Sequence, residues 1–188
     1  SCRSRSGISS VMDFVAIDVE TANSARASIC QIGVARYTGG VLTDEWVSYI
    51  DPEGEFGVWQ VQIHGIQAST VEGSPTYSDV VDELYAFLDD SIVVSHSPFD
   101  QQAITKSAVR YGVRPPRAQW VDSIVVAKRT WPEHANRGYK LDQMCDQLDY
   151  EFEHHDALED AKAAGHVAIS AVKYSGNSLS KWIGGSWA

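Results

Sequence analysis

The sequence is poor in cysteine and in long apolar runs, and these scarcities exclude several classes of protein. Its three cysteines are Cys2, Cys30 and Cys145, and no pair has the C-x-x-C spacing of a zinc or redox site. An odd number of thiols suits a reducing compartment, so we expect a cytoplasmic protein. No apolar run reaches the length of a membrane span. Residues 1–12 are polar, lack the apolar core of a signal peptide and are expected to form a flexible leader.

Basic residues are also scarce, because 15 Lys and Arg against 25 Asp and Glu give a net charge of −10. This balance is not typical of a protein that coats nucleic acid with a basic surface. The cations are unevenly distributed, since residues 106–140 contain eight Lys and Arg and only two acids, a local charge of +6. Local binding of a nucleic acid by an acidic protein therefore stays open.

What remains is the composition of an ordinary globular domain. The chain has 188 residues, of which 44% are hydrophobic, and this length suffices for one domain with a substantial core. We expect that domain over residues 13–174 and a tail over 175–188. Tryptophans inside the domain are expected mostly in the core, and those of the tail are expected to face a partner. The first group is Trp46, Trp59, Trp120 and Trp131, and the second is Trp182 and Trp187.

One stretch, residues 14–21, combines a strand pattern with two acids. Apolar residues dominate it, and Asp18 and Glu20 stand two positions apart near its end. Because side chains alternate across a strand, both carboxylates point to the same face. Two such groups at the edge of a core repel each other and resist burial unless a cation joins them. The alternative is a strand end where both acids are simply solvated.

The order of elements predicts an α/β fold. Three strands with short links, over residues 14–21, 29–37 and 41–50, indicate an antiparallel meander. Helices with a 3.6-residue period then alternate with two short strands near residues 92–94 and 120–122. The last helix is expected to pack closely on the sheet through a stripe of small residues, Ala157, Ala161, Ala164, Ala168 and Val172. We therefore predict a mixed five-stranded sheet, three antiparallel strands plus two parallel ones, with helices on both faces.

Three further residues extend the acidic pair into a candidate site. Asp100 begins a helix after a strand, His155 precedes the last helix, and Asp160 lies in that helix's second turn. Strand ends and helix starts along one sheet edge are where α/β sites form. Four carboxylates are ligands for Mg²⁺ or Mn²⁺ rather than zinc, and two such ions promote in-line phosphoryl displacement. A histidine can accept the proton of the attacking water near neutral pH.

Three ordered segments resemble the DEDDh-type 3′→5′ exonucleases, a ribonuclease H-like group that includes polymerase III proofreading subunits, RNase T and oligoribonuclease. Residues 14–21 match the D-x-E-T motif, residues 93–100 match the strand-to-F-D motif, and residues 155–161 match H-x-A-x-x-D-A. Residues 29–33 and 63–66 resemble its second-strand and H-G-I segments. Each match alone is weak, but all of them in order over residues 13–172 are specific.

The resemblance implies a role for each acid and for the histidine. Asp18 is expected to bridge two metal ions, and Glu20 to bind one of them and orient the attacking water. Asp160 completes the site of that ion, and Asp100 holds the other. His155 is expected to be the general base, because it has the four-residue spacing to Asp160, whereas adjacent His154 is interpreted as a solvated loop residue.

The resemblance also implies contacts to the terminal nucleotide, from the backbone N–H of Thr21 and from His64 and Ile66. The alternatives are a residue that only ends the strand and a turn histidine beside a core isoleucine. Many relatives have His-Asn where this chain has Ser95 and His96, so His96 is expected among the substrate contacts and the substrate preference is open. Lys106, Arg110 and Arg114 recur every four residues, and we interpret them as a stripe that follows the phosphates of a strand, with a solvated helix face as the alternative.

These inferences predict a metal-dependent 3′→5′ exonuclease that shortens single-stranded DNA or RNA and releases nucleoside 5′-monophosphates. An RNA-processing exoribonuclease, a small-nucleotide phosphohydrolase and a non-catalytic nucleic-acid-binding subunit are the alternatives. We expect no membrane association. A homodimer and a polymerase or repair partner both stay open.

Overall fold

The computed structural model describes residues 12–184, which form five strands, six α-helices and two short 3₁₀ helices. The strands are β1 (Phe14–Thr21), β2 (Ile29–Thr38), β3 (Val41–Tyr49), β4 (Ser91–Ser95) and β5 (Ala118–Asp122). The α-helices are α1 (Val58–His64), α2 (Tyr77–Leu88), α3 (Phe99–Arg110), α4 (Ser123–Thr130), α5 (Leu141–Gln147) and α6 (Ala157–Ser175). The 3₁₀ helices are Pro132–Asn136 and Leu179–Trp182. The predicted leader, apart from Met12, and Trp187 lie outside the described residues.

The strands form one mixed sheet in the order β3-β2-β1-β4-β5. β1 pairs with β2 and β2 with β3 in antiparallel fashion, whereas β1 pairs with β4 and β4 with β5 in parallel. The predicted meander followed by two parallel strands is therefore confirmed. Because β1, β4 and β5 run in the same direction, their carboxyl ends lie along one edge of the sheet.

β1 is the central strand, and its side chains alternate between two apolar layers. Phe14 and Ala16 pack in the layer formed by α4, α5 and α6, whereas Val15 and Ile17 pack in the layer formed by α2 and α3. All four are almost fully buried. A strand covered on both faces requires a continuous apolar run, and β1 stays buried through Val19 and Thr21, with Asp18 and Glu20 partly buried between them.

α6 lies unusually close to the sheet because small residues line the contact. The predicted stripe of small residues, from Ala157 to Ala168, is buried against β1 and β2. On the sheet side, a Cβ added to Gly33 would lie 2.3 Å from the backbone of Ala157 and of Leu158. Only glycine allows this approach, and it brings the first turn of α6 beside the end of β1.

Two expectations about tryptophan are wrong. Trp59 on α1 is 69% exposed, because it lies on the solvent face of a helix that has no buried residue. Trp182 is 3% exposed, because residues 179–184 fold back on β5, where Ile183 bridges Val121 and Gly184 N–H donates to the Trp120 carbonyl. Of the helices described here, none has the length and apolarity needed to cross a bilayer.

Candidate active site

Asp18 and Glu20 extend from the end of β1 toward the α6 side of the sheet. They share the face of Phe14 and Ala16, as the alternation of a strand requires. Asp18 pairs in register with Gly33 of β2, the residue against which α6 begins. Its Oδ2 atom is buried and has no hydrogen-bond partner among the described residues. A buried carboxylate oxygen without a partner is costly, so this atom is available to a ligand.

Asp100 reaches the same point from α3. It lies in the first turn of that helix, directly after β4, and it is 3% exposed. Its Oδ1 atom accepts a hydrogen bond of 2.9 Å from the backbone N–H of Val19, which lies between the two acids of β1. This bond fixes the Asp100 carboxylate at the end of β1.

α6 supplies the fourth acid and the predicted histidine. Ligand atoms of Glu20, His155 and Asp160 all lie within 4.8 Å of one another. Asp160 is 7% exposed, and its Oδ1 atom is buried with no hydrogen-bond partner among residues 12–184. His155 is exposed in the turn before α6, and its left-handed backbone, with a φ of 69°, changes the direction of the chain before the helix begins. The structure thus brings together the five residues that the sequence predicted.

Burial and mutual repulsion raise the pKa values of the four acids. Burial is the main cause in each case, with neighbouring carboxylates adding to it. It raises the pKa of Asp18 well above its usual range and that of Glu20 to about 8. It raises the pKa of Asp100 to about 7, although the Val19 hydrogen bond opposes the shift. The pKa of Asp160 rises to about 6, with the charge of His154 opposing the shift.

His154 is not the solvated loop residue that was expected. Its Nδ1 atom lies 3.7 Å from Asp160 Oδ1, and its ring meets the Phe152 ring edge-on at 4.0 Å between centroids. Its side chain is 38% exposed. Both histidines of the turn therefore border the acids, which the four-residue spacing alone did not indicate.

The H-G-I segment, residues 64–66, is hydrogen-bonded to the end of β1. His64 Nε2 lies 2.9 Å from the Thr21 carbonyl oxygen, and its Nδ1 accepts a hydrogen bond from the N–H of Ile66. Because a carbonyl can only accept, Nε2 carries the proton. Ile66 is 4% exposed and packs with Ala22 and Cys30. Thr21, His64 and Ile66 stay predicted substrate contacts, with the His64 ring already bonded within the protein.

His96, like His64, stays a predicted substrate contact whose ring already has partners within the protein. Its Nδ1 atom lies 2.7 Å from Ser123 Oγ, and its Nε2 atom lies 2.7 Å from the Tyr139 carbonyl oxygen. Both ring nitrogens are thus used within the protein. Its neighbour Ser95 is 2% exposed and donates to the Ser97 carbonyl. Ser95 and His96, which replace His-Asn, therefore both form hydrogen bonds within the protein.

Two residues of the site escaped the sequence analysis. Gln31 on β2 accepts from the N–H of Ala157 at 3.2 Å and so fixes the first turn of α6, which Asp156 also caps. Lys140 lines a cavity of about 430 Å³ together with Asp18, both histidines of the turn and Asp160. Neither follows a periodic pattern, because each acts on residues distant in the sequence.

The basic stripe on α3 does not have the role that was expected. Arg110 donates to three main-chain carbonyl oxygens of neighbouring loops. Arg114 forms a bidentate ion pair with Asp89 at the start of β4, the sheet edge opposite the acids. These guanidinium groups stabilise loops, and Lys106 alone does not form a stripe.

Comparison with known proteins gives one family. A family model described as an exonuclease, RNase_T, matches residues 15–168. DNA polymerase III PolC-type of Halalkalibacterium halodurans is 26% identical over 165 residues, which is 86% of this chain and 11% of that protein. The 3′-5′ exonuclease DinG of Bacillus subtilis is 27% identical over 165 residues, 85% of this chain and 18% of that protein. The chain thus spans about a tenth to a fifth of these curated relatives.

Solved structures share the fold. Exonuclease X in complex with 5′ overhanging duplex DNA superposes with a TM-score of 0.75 at 19% identity, covering 89% of this chain and 96% of that one. The nuclease domain of 3′hExo, a DEDDh family member bound to rAMP, superposes with a TM-score of 0.74 at 15% identity, covering 86% and 92%. The predicted α/β fold is therefore confirmed.

Proposed function

The chain belongs to the exonuclease family whose model matches residues 15–168, and from that premise we propose that it is a 3′→5′ exonuclease acting on single-stranded ends. It removes nucleoside 5′-monophosphates one at a time from DNA. The observation that carries the proposal is the convergence of Asp18, Glu20, Asp100 and Asp160 with His155 at one sheet edge. Clustered acids beside a phosphate chain are unfavourable for a mere binding module, so they favour catalysis over that alternative.

The donor atoms suit divalent cations of the Mg²⁺ or Mn²⁺ type. All four acids offer oxygen, the ligand such ions prefer, and buried oxygens of Asp18 and Asp160 lack other partners among residues 12–184. Asp18 would contribute to the sites of both ions, Glu20 and Asp160 to one, and Asp100 to the other. Cations bound there would supply a Lewis acid for the scissile phosphate and lower the pKa of the attacking water.

His155 is the proposed general base. It lies beside Glu20 and Asp160 yet remains exposed, so a water between these groups could transfer its proton to the imidazole. Glu20 orients that water through its carboxylate. The left-handed backbone of His155 directs the side chain to the mouth of the cavity rather than into the core.

The substrate is proposed to be DNA because the relatives matched in sequence include DNA polymerase III PolC-type proteins. RNA is the second candidate, since one structural neighbour holds rAMP. The same relatives, many times longer than this chain, support a polymerase as working partner. A reducing cytoplasm is the proposed location, and it agrees with the buried free thiols of Cys30 and Cys145.

A paired digestion tests the function. Single-stranded DNA and RNA of the same sequence, labelled at the 5′ end, are incubated with the protein in Mn²⁺, in Mg²⁺ or in EDTA. We expect a ladder that shortens from the 3′ end, needs the metal, and runs faster on DNA. The Asp18→Ala variant should give no ladder while its circular dichroism matches the parent. A parent protein that cleaves only a mononucleotide ester would make it a small-nucleotide phosphohydrolase instead.

A further inference from the structure

Charge is distributed around the site so that one side repels a polynucleotide. Residues 37–105 contain twelve acids and no Lys or Arg. This segment includes β3, α1, α2 and β4, and it provides the surface next to His64 on one side of the acids. A phosphate chain leaving the site over this side would meet mainly acidic side chains, and Arg110, which reaches the loop at residues 52–53, is already bonded to main-chain carbonyls there. The cations that hold a strand must therefore lie elsewhere.

Most arginines of the basic window are already used. Arg110 bonds main-chain carbonyls, and Arg114 and Arg117 pair with Asp89 and Asp90 at the far edge of the sheet. Of the Lys and Arg residues that the structure describes, Lys140 is the one that lines the cavity of the acids, and it lies with Arg137 in the turn that joins α4 to α5. The positive side of the active site is thus this turn.

Lys140 is the cation of that turn that lines the cavity of the acids. Its side chain is exposed, and within residues 12–184 it forms no ion pair. A lysine is a mobile point charge that binds phosphate well. Because it stands at the rim rather than among the buried acids, it can reach a phosphate without displacing a cation from Asp18 or Asp160.

His96 holds this lysine in place. Its Nε2–H donates to the carbonyl oxygen of Tyr139, the residue immediately before Lys140, at 2.7 Å. On its other side, Nδ1 meets Ser123 Oγ at the start of α4. The end of β4 is thereby joined to the turn before α5, forty-three residues away in sequence. The histidine that departs from the common His-Asn pattern is the residue that makes this connection.

We propose that Lys140 binds the backbone phosphate on the 5′ side of the scissile one, with His96 as its positioning residue, so that the strand leaves the site over the turn at residues 137–140. This inference rests on the proposed function and adds a substrate class, a single strand of at least three nucleotides. The strand would then pass away from the acidic side that carries α1.

Binding without turnover provides the first test. Affinity for a fluorescein-labelled dT12 is measured by anisotropy with Ca²⁺ in place of Mg²⁺ and Mn²⁺, at several salt concentrations. Lys140→Ala should weaken binding roughly fivefold and lower the salt slope by about 0.7, the value for one phosphate contact on a single strand. The control is Lys173→Ala, an exposed lysine about 20 Å further along α6 from Asp160 by helix rise. Equal effects of the two variants would overturn the proposal.

Kinetics separate a strand contact from a contact to the reacting phosphate. We compare dT12 with the p-nitrophenyl ester of thymidine 5′-monophosphate, which has no second phosphate. Lys140→Ala should raise KM for dT12 far more than KM for the ester, and kcat should change little on either. An equal loss on both substrates would place Lys140 at the scissile phosphate and contradict the inference.

Variants of His96 test the positioning step. His96→Asn is too short to reach the Tyr139 carbonyl and should weaken dT12 binding as Lys140→Ala does, with no further loss in the double variant. His96→Gln can still donate to that carbonyl and should restore most of the affinity. Additive losses would overturn the positioning role. A parent that binds dT12 but never releases mononucleotides would refute the proposed function while leaving this binding test valid.

Discussion

At the scale of the residue, two adjacent histidines border the acids but differ in where their rings lie. His155 has a ring nitrogen within 4.8 Å of ligand oxygens of Glu20 and Asp160. The His154 ring meets the Phe152 ring edge-on and approaches only Asp160 of the acids, at 3.7 Å. Only His155 is therefore placed to share a proton with a water between the two carboxylates, whereas His154 borders Asp160 alone.

This difference predicts unequal effects of two matched substitutions. His155→Ala should lower kcat on single-stranded DNA by about 10²- to 10⁴-fold and leave KM near the parent value, because a general base acts in the transition state. His154→Ala should cost much less, since it removes only a neighbour of Asp160. Steady-state kinetics on a labelled oligonucleotide measure both. A larger loss in His154→Ala than in His155→Ala would assign the base to His154.

The sequence alone predicted the acids of the site, but it did not predict the contacts between segments that are distant in the chain. Asp18 and Glu20 were predictable because strand alternation is local, and Asp100 because it begins a helix after a strand, at the sheet edge where α/β sites form. Lys140 gave no signal, because its importance depends on a hydrogen bond from His96 to a residue forty-three positions later. For the same reason Arg110 was misinterpreted, since nothing local indicates that it bonds the carbonyls of other loops.

At the scale of the element, the position of α6 decides whether Asp160 meets β1. The small-residue stripe of α6 predicted close packing on the sheet, and that packing is present. The stripe does not say where along the sheet the helix begins. Gly33 and Gln31 of β2 fix that point, one by leaving space for the backbone of Ala157 and one by accepting its N–H.

Gly33→Ala should therefore displace the start of α6. The new Cβ would lie 2.3 Å from the backbone of Ala157 and Leu158, so the helix rather than a flexible side chain has to move. We expect a loss of about 1–3 kcal/mol in the free energy of unfolding, typical of overpacking, together with weaker Mn²⁺ binding and a lower kcat. Urea denaturation and calorimetric Mn²⁺ titration measure these changes.

Gly54→Ala is the matched control for that substitution. Its added Cβ would have its nearest neighbour at 3.7 Å, an ordinary contact in a loop. We expect its stability and Mn²⁺ affinity to equal those of the parent. Were Gly33→Ala to keep the parent's Mn²⁺ affinity, the close approach at Gly33 would not be what positions Asp160.

At the scale of the whole molecule, the fold places acids from three separate parts of the chain at one sheet edge, where they repel each other. The pKa values are raised to about 6 for Asp160, about 7 for Asp100 and about 8 for Glu20. The metal-free folded state thus binds more protons than the unfolded chain, in which carboxylates titrate near 4. The contribution of these carboxyl groups to the free energy of unfolding is therefore fully present below about pH 4. It is lost as the pH rises toward 8.

Metal binding should reverse that trend. Cations need the deprotonated carboxylates, so Mn²⁺ affinity and Mn²⁺-dependent stabilisation should both grow from pH 5.5 to pH 8. At pH 8 and a concentration of 100 Kd, Mn²⁺ should add about 2.7 kcal/mol, which for this chain length raises Tm by roughly 5–11 °C. Differential scanning calorimetry with Mn²⁺ or EDTA at the two pH values measures the difference.

The Asp18→Asn variant separates the coupling between Mn²⁺ binding and deprotonation of the acids from unspecific effects of pH. The amide cannot ionise, so the metal-free variant should be more stable than the parent at pH 8, and its Tm should respond little to Mn²⁺. Other acids of the molecule still titrate in the variant, which makes it the reference for the remaining pH dependence. An equal Mn²⁺ shift at pH 5.5 and 8, or a full shift in Asp18→Asn, would mean that Mn²⁺ binds away from this sheet edge. The raised pKa values would then reflect repulsion that no cation relieves.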